Sequence, residues 1–255
     1  MIEMKTAADI AAMRESGRLV ARALAAMRDA AAIGTTTREL DAVGAGVLSE
    51  AGATSPFLNY HPDWAPSPFP ASICASVNDA VVHGIPTDVP LSDGDLVSID
   101  FGAILNGWAG DAAISFIVGT PREADLDLIE TTERALAAGI AAARPGNRVG
   151  DIGHAIAQVA RAKGYGLLAD HGGHGIGRVM HEDPHIPNDA RAGRGLKLRP
   201  GLVIAIEPML HAGGADAYTS GSDGWTLRTA DGSRAAHVEH TIAITPDGPT
   251  ILSAL

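Results

Sequence analysis

The chain has 255 residues and a formal net charge of −11. An acidic surface repels phosphate backbones, which argues against nucleic-acid binding, and it suits a cationic substrate such as the free amine of a peptide. The net charge alone is explained equally well if the excess of acidic residues only keeps the protein in solution. Cys74 is the sole cysteine, so an internal disulfide is excluded, and no apolar run approaches the roughly 20 residues of a membrane span.

Residues 1–5 lack the basic-then-apolar layout of a signal peptide. With the single cysteine, this pattern predicts a cytoplasmic protein with no membrane partner.

Two helices are predicted at the start of the chain. The sequence from Thr6 to Asp9 has the pattern of a capping box, and apolar residues continue at helical spacing to about residue 31. Gly34 ends that segment, and a second capping pattern at Thr36 opens a helix that runs to Gly52.

The same plan recurs later in the chain. Residues 124–143 and 149–163 have helical spacing, and Gly146 lies between them. Gly34 and Gly146 are separated by 112 positions, as are Gly52 and Gly164. An apolar strand follows each helix pair. We therefore predict an internal duplication within one catalytic domain, residues 1–255, whose two similar lobes cover about 1–118 and 119–255 around a central cleft.

Residues 55–70 follow neither a helical nor a strand period, but they contain prolines together with Tyr60, Trp64 and Phe69. A loop of this length inside a compact domain is usually either functional or disordered, and the aromatic residues favour a functional one. Residues 71–77 and 81–83 then have the pattern of short strands.

A hairpin is predicted where Asn106-Gly107 offers a two-residue type I′ turn. Counting from that turn places Asp111 opposite Gly102 and Asp100 two residues along the same face, roughly 7 Å away. We expect Gly102 to leave the space between the carboxylates empty. Like charges at that distance need a cation. The alternative is that both aspartates are solvated at a sheet edge, but their apolar neighbours favour a buried sheet.

Three further residues complete a candidate metal centre. Glu207 ends an apolar strand, Glu239 lies in another at 237–244, and His174 is flanked by glycines. Buried carboxylates need partners, and four of them with one imidazole match two divalent cations. Oxygen-rich ligation with a single nitrogen suits Co, Mn or Fe, with Zn as a further option, and differs from a structural zinc site. Such a centre predicts metal-assisted hydrolysis.

Five motifs resemble the type I methionine aminopeptidases, which have the pita-bread fold and belong to the M24 metallopeptidases. They are Val82-His83-Gly84-Ile85-Pro86; Ile99-Asp100-Phe101-Gly102 with Gly110-Asp111; Asp170 through His181-Glu182-Asp183-Pro184; Ile206-Glu207-Pro208; and Val238-Glu239-His240-Thr241. The similarity covers nearly the whole chain. It implies an α+β fold in which two pseudo-twofold-related α/β halves surround a curved, mainly antiparallel sheet. It also implies removal of N-terminal methionine when the second residue is small.

The resemblance assigns roles to individual residues. One metal would be bound by Asp111, His174, Glu207 and Glu239, and the other by Asp100, Asp111 and Glu239. Glu207 would also relay a proton, His181 would stabilise the oxyanion, and His83 would lie at the scissile amide nitrogen. The methionine pocket would be lined by Tyr60, Phe69, Cys74, Met180 and Trp225.

Two features depart from the family pattern: the segment between Tyr60 and Phe69 is longer, and Met180 stands where bacterial relatives often carry Phe. Two alternatives stay open. One is a proline-directed or other aminopeptidase of the same fold, which typically carries an extra N-terminal domain. The other is a metal-free peptide-binding pseudoenzyme. The expected partners are nascent polypeptide N-termini and, as a further candidate, the ribosome surface, and the protein is expected to be a monomer.

Overall fold

A computed structural model describes residues 2–255, which form helices and strands in a mixed order. The helices are α1 (Ala7–Ala30), α2 (Thr37–Ala51), α3 (Glu123–Ala142) and α4 (Val149–Ala162). The strands are β1 (Ile73–Val77), β2 (Ala80–Val82), β3 (Asp95–Leu105), β4 (Trp108–Val118), β5 (Gly166–Leu167), β6 (Gly172–Gly175), β7 (Glu182–Pro187), β8 (Val203–Ile206), β9 (Met209–His211), β10 (Tyr218–Ser220), β11 (Leu227–Thr229), β12 (Ala235–His237), β13 (Glu239–Thr245) and β14 (Gly248–Ile251). The predicted α+β class is confirmed.

Capping boxes open the first two helices as the sequence predicts. The backbone N–H of Asp9 donates to the Thr6 hydroxyl at 3.2 Å, and the Asp9 carboxylate accepts from the Thr6 backbone at 2.9 Å. Thr36 and Glu39 form the same pair of bonds at 3.1 and 2.7 Å. Gly52 then ends α2 with φ +66°, which glycine adopts at no steric cost. Within residues 2–255, no helix combines the length and apolarity needed to cross a bilayer.

The main sheet runs in the order β1-β3-β4-β13-β8-β6-β7, with β14 paired to β13. Its strand pairs are antiparallel. Helices α1 and α2 share an apolar cluster with β1, β3 and β4, whereas α3 and α4 share one with β8 and β13. The sheet therefore has a separate helical pair over each part, and its central strands are buried.

The glycines that suggest a duplication have matching backbone angles. Gly34 has φ +94° and Gly146 has φ +95°, while Gly52 and Gly164 have φ +66° and +78°. These angles are what two similar helix pairs require. The internal duplication and its division at about residue 118 stay predictions.

The β3–β4 hairpin has the predicted register. Leu105 pairs with Trp108, and Gly102 pairs with Asp111. Asn106 and Gly107 have φ +53° and +76°, the positive values that a type I′ turn requires at both central positions. Because β1 and β13 flank this hairpin, neither strand is at a sheet edge. The alternative of solvated edge aspartates is therefore wrong.

The expectation that Gly102 leaves an empty space beside the aspartates is also wrong. A Cβ atom at this position would lie 2.6 Å from Cγ of Pro56 and 3.1 Å from the Phe57 ring. The loop of residues 55–70 thus packs directly onto the backbone of β3. Glycine is needed there because the loop, and not a solvent gap, fills the space beside the aspartates.

The predicted strand at 237–244 is interrupted at Val238. Its first part, β12, pairs with β9, and its second part, β13, pairs with β4 and β8. Pro208 between β8 and β9 has no N–H to continue a ladder, and its carbonyl accepts from Val238 N–H at 3.4 Å. The strands on either side of Pro208 and of Val238 therefore have different pairing partners, and these changes of pairing lie directly beside Glu207 and Glu239.

Candidate metal centre and substrate cavity

Five neighbouring strands of the main sheet bring the predicted metal ligands together. Asp100 lies in β3, Asp111 in β4, His174 in β6, Glu207 directly after β8, and Glu239 at the start of β13. All five line one cavity of about 240 Å³, together with His83 and His181. The chain order of these residues differs from their spatial order, so only the sheet topology makes them neighbours.

Donor atoms converge in two groups that share Glu239. Asp111, His174 and Glu239 each offer an atom within 4.8 Å of the others, and so do Glu207, His237 and Glu239. His174 Nε2 is 3.8 Å from Asp111 Oδ2 and 3.6 Å from Glu207 Oε1. Asp100 belongs to neither group, although it lines the same cavity.

The orientation of His174 is fixed by its own strand. Its Nδ1 lies 2.9 Å from the carbonyl oxygen of Gly175, which can only accept, so Nδ1 carries the proton and Nε2 presents its lone pair to the carboxylates. Side chains are excluded on both sides. A Cβ at Gly173 would collide with the carbonyl of Ala205, and one at Gly175 with that of Asp183. The glycines around His174 therefore let three strands approach one another.

Burial raises the pKa of the carboxyls. Loss of hydration is the main cause at each, and neighbouring carboxylates add to it at Asp111, Glu207 and Glu239, whose pKa values lie well above the usual range. For Asp100 the pKa rises to about 7. Asp100 Oδ1, Asp111 Oδ1 and Glu239 Oε1 are buried without a hydrogen-bond partner among the described residues. Unpaired buried carboxylates beside a neutral imidazole fit divalent cations.

His83 and His181 line the same cavity without joining either donor group. Desolvation lowers the pKa of His83 to about 4, and it also lowers the pKa of His181. Both rings are therefore neutral at pH 7. The ring of His181 lies 4.4 Å from that of His174 and 5.5 Å from that of Tyr60, centroid to centroid. His83 has φ +59°, a strained backbone conformation that often occurs at functional sites.

The apolar side of the cavity contains all the residues expected in a methionine pocket. They are Tyr60, Phe69, Cys74, Met180 and Trp225, and they are joined by Phe57 and Trp64. Trp225 is central: its ring packs edge-on at 5.1 Å against both Phe69 and Trp64, and its Nε1–H donates to the Ser67 carbonyl at 3.1 Å. Burial, with the nearby carboxylates, raises the pKa of the Cys74 thiol, so it stays protonated.

Sequence reasoning missed Phe57, Trp64 and His237. The signal for His237 was available, because it lies two residues before Glu239, and alternate residues of a strand share a face. Trp64 stood out as an aromatic residue in the 55–70 loop, but no local pattern shows that the loop folds back onto Trp225.

Removing divalent ions should lower the melting temperature, and Mn or Co should restore it, because crowded carboxylates repel one another without a cation. Binding to the native state alone stabilises it by about 2.7 kcal/mol at a hundredfold excess over Kd. Ion uptake at pH 7 should release protons, since the raised pKa values leave the carboxyls partly protonated. Calorimetry measures the release of protons, and thermal melts measure the change in melting temperature. Sodium chloride is the control, and melts that respond to neither chelator nor metal would contradict the expectation.

Comparison with known proteins identifies the family. Residues 11–246 match the model of metallopeptidase family M24. Methionine aminopeptidase 1 of Mycobacterium tuberculosis is 51% identical to this chain, over 99% of the chain and 95% of that protein. The chain belongs to the M24 methionine aminopeptidases. Methionine aminopeptidase of Clostridium acetobutylicum is 44% identical over 99% of both proteins, so the likeness covers the whole M24 domain.

Solved structures confirm the pita-bread fold. The methionine aminopeptidase of Rickettsia prowazekii matches this M24 chain with a TM-score of 0.95 and 40% identity, covering 99% of this chain and all of that one. A prolidase of Pyrococcus horikoshii matches with a TM-score of 0.76 and 22% identity, and the match covers 98% of this chain but 63% of the prolidase. That second likeness shows the shared fold alone.

Proposed function

We propose that this chain removes the N-terminal methionine from nascent proteins and peptides when the second residue is small, by hydrolysis assisted by two divalent metal ions. The observation that carries the proposal is the juxtaposition in one cavity of four carboxylates and a neutral imidazole with an aromatic slot. The names of the two relatives given above support the same activity. We propose that the protein acts as a monomer in the cytoplasm, where nascent chains emerge.

The proposed ligands are the five residues that converge from neighbouring strands. Asp111, His174, Glu207 and Glu239 would hold one ion, and Asp100, Asp111 and Glu239 the other. Among residues 2–255, one buried oxygen each of Asp100, Asp111 and Glu239 has no hydrogen-bond partner, which supports this assignment because each has a free lone pair. Divalent ions in such a site act as Lewis acids, which polarise a carbonyl and lower the pKa of water. Co, Mn and Fe are the ions that the donor set favours.

Three side chains would handle the reacting groups. Glu207 has a carboxylate about 16% exposed to the cavity and a raised pKa, which suits a group that takes a proton from water and passes it to the leaving amine. His181 would donate a hydrogen bond to the oxygen that becomes negative in the transition state. His83 would contact the scissile amide nitrogen. Both histidines are neutral at pH 7, so each has one ring N–H to donate.

Binding of methionine would use the apolar side of the cavity. Phe69, Trp225, Met180 and the protonated Cys74 present aromatic and sulfur surfaces, which favour a flexible, unbranched thioether over a β-branched side chain. The net charge of −11 also favours a substrate with a free ammonium group. The slot and the carboxylates adjoin, so a bound methionine places its carbonyl beside the polar residues.

Turnover of a Met-Ala-Ser peptide tests the function. The protein should release free methionine when loaded with Mn or Co, lose that activity after chelation, and regain it on metal addition. Release is followed by mass. A protein that binds the peptide but never releases methionine, with any of these ions, would instead be the peptide-binding pseudoenzyme. A preference for Xaa-Pro peptides would support the proline-directed alternative.

The long loop gives a separate prediction through Trp64. Its ring is 64% exposed yet packs edge-on against Trp225 and lines the cavity. An aromatic pair of this kind contributes about 0.5–1.5 kcal/mol, so Trp64→Ala should raise KM for Met-peptides roughly two- to tenfold with kcat nearly unchanged. Leu126→Ala, an exposed apolar residue on α3, is the matched control. An unchanged KM would show that the loop is not part of the pocket.

A further inference from the structure

His237 is the one residue of the two donor groups that has no part in the proposed reaction. It ends β12 and is only 1% exposed. Its Nε2 lies 3.6 Å from Glu207 Oε2 and 4.0 Å from Glu239 Oε2. The same nitrogen is buried and has no hydrogen-bond partner among residues 2–255. A buried ring nitrogen without a partner normally needs explanation.

The position of His237 is held firmly through its backbone. Its N–H donates to the Ser115 hydroxyl at 3.0 Å and is 3.3 Å from the Ser98 hydroxyl, while its carbonyl accepts from Ser115 at 2.8 Å. On the other side the backbone pairs with Met209 of β9. The imidazole is thus aimed at the two glutamates by fixed strands on both sides, an arrangement that resembles the support of a ligand more than a loosely packed side chain.

The distances from His237 distinguish two kinds of contact. Separations of 3.6 and 4.0 Å are too long for hydrogen bonds to the carboxylates. They do fit donors that share a cation: with bonds of about 2.1 Å, two ligand atoms of a tetrahedral or octahedral shell stand roughly 3–4 Å apart. His174 Nε2, at 3.6 Å from Glu207 Oε1, shows the same spacing on the opposite oxygen of that carboxylate.

We propose that His237 is a further metal ligand, whose Nε2 binds the cation held by Glu207 and Glu239. The inference rests on the proposed function in so far as that function requires divalent ions at these glutamates. It gives the centre six protein ligands and a second nitrogen in place of the single one expected from the sequence. A neutral imidazole adds a ligand without changing the balance between carboxylate and metal charge. A second nitrogen also shifts the preference of the site toward Fe, Ni or Zn relative to Mn.

His211 provides a matched control. It is also 1% exposed, it lies on β9 next to β12, and its Nε2 likewise has no partner among the described residues. Its Nδ1 lies 2.9 Å from the Ala215 carbonyl, so it is held by its own loop, and it belongs to neither donor group. Loss of a buried imidazole by itself should therefore affect both variants, whereas loss of a ligand should affect only His237.

Proton NMR of the Co(II)-loaded protein tests the assignment. Each histidine bound through Nε2 gives one strongly shifted, solvent-exchangeable Nδ1–H signal. We expect two such signals in the wild-type protein, from His174 and His237, and one in His237→Gln. His211→Gln should keep both signals. A Co titration of the same variants should show affinity for the ion held by Glu207 and Glu239 weakened by about tenfold or more in His237→Gln and unchanged in His211→Gln.

The outcomes separate this inference from the proposed function. A wild-type protein that releases methionine but shows one shifted imidazole signal would overturn the role of His237 and leave the function standing. Two signals without methionine release would do the reverse. A protein that binds no Co would overturn both. If His237→Gln does not fold, the number of shifted imidazole signals in the wild-type protein is sufficient to decide. Retention of both signals in a folded His237→Gln protein would also overturn the assignment.

Discussion

Replacing His181 with alanine should lower kcat for Met-peptide hydrolysis by about 100-fold or more while bound metal stays unchanged. A hydrogen-bond donor to the developing oxyanion contributes chiefly in the transition state, and its removal typically costs about 10²–10³ in rate. The ring of His181 packs against that of His174 at 4.4 Å between centroids, yet His181 belongs to neither donor group. The expected effect is therefore on chemistry and not on metal retention.

His174→Ala is the matched comparison, because it removes the neighbouring imidazole. This variant should lose metal first, with activity falling as a consequence, and excess Mn or Co should restore part of it. Metal content by elemental analysis and kcat measured at saturating metal separate the two effects. If His181→Ala loses its metals instead, His181 is a ligand and the assignment of an oxyanion role is wrong.

N-acetylated and N-formylated methionine peptides should not be cleaved at all, and free Met-X peptides should be cleaved only when X is small. The free amine would complete the coordination of one ion and be attracted by the acidic site, so blocking it removes the anchor. The second residue must pass beside His83, whose strained backbone fixes its position at the cavity. We expect release of methionine before Gly, Ala or Ser, and retention before Lys, Leu or Phe.

A panel of Met-X tripeptides, each free and acetylated, measures both expectations through free methionine detected by mass. Peptides that begin with Val or Ile serve as controls, since β-branching should be rejected by the walls around Trp225. Chain length and charge are matched across the panel. Equal release whatever X is would refute the size limit at His83, and cleavage of the acetylated set would refute anchoring by the amine.

Local patterns were sufficient for the hairpin and the helix starts. Two residues, Asn106 and Gly107, determine the turn type, and the turn type determines the register of β3 and β4, so the positions of Asp100 and Asp111 follow by counting. The capping boxes at Thr6 and Thr36 are equally local, since each hydrogen bond spans three residues. Where one interaction between residues close in sequence determines the local geometry, that geometry can be predicted from the sequence.

Contacts between distant segments could not be read in the same way. Pro56 packs on Gly102, Trp64 packs on Trp225, and the strand containing Glu239 breaks at Val238 because of Pro208. In each case the cause lies in another part of the chain. The residues themselves pointed to the five metal ligands, and the resemblance to a family added the other site residues. Neither included His237, whose position depends on which strand β12 pairs with.

The proposed metal ligands also have a consequence for how the protein is made. They are spread from Asp100 to Glu239, each from a different segment of the sheet. Such long-range pairings form late and slowly, because chain closure over large separations comes before any stabilising contact. The centre cannot assemble during synthesis until Glu239 has left the ribosome. Ion capture is therefore expected to be among the last events of folding, and chains that end before Glu239 should show no cooperative uptake of metal.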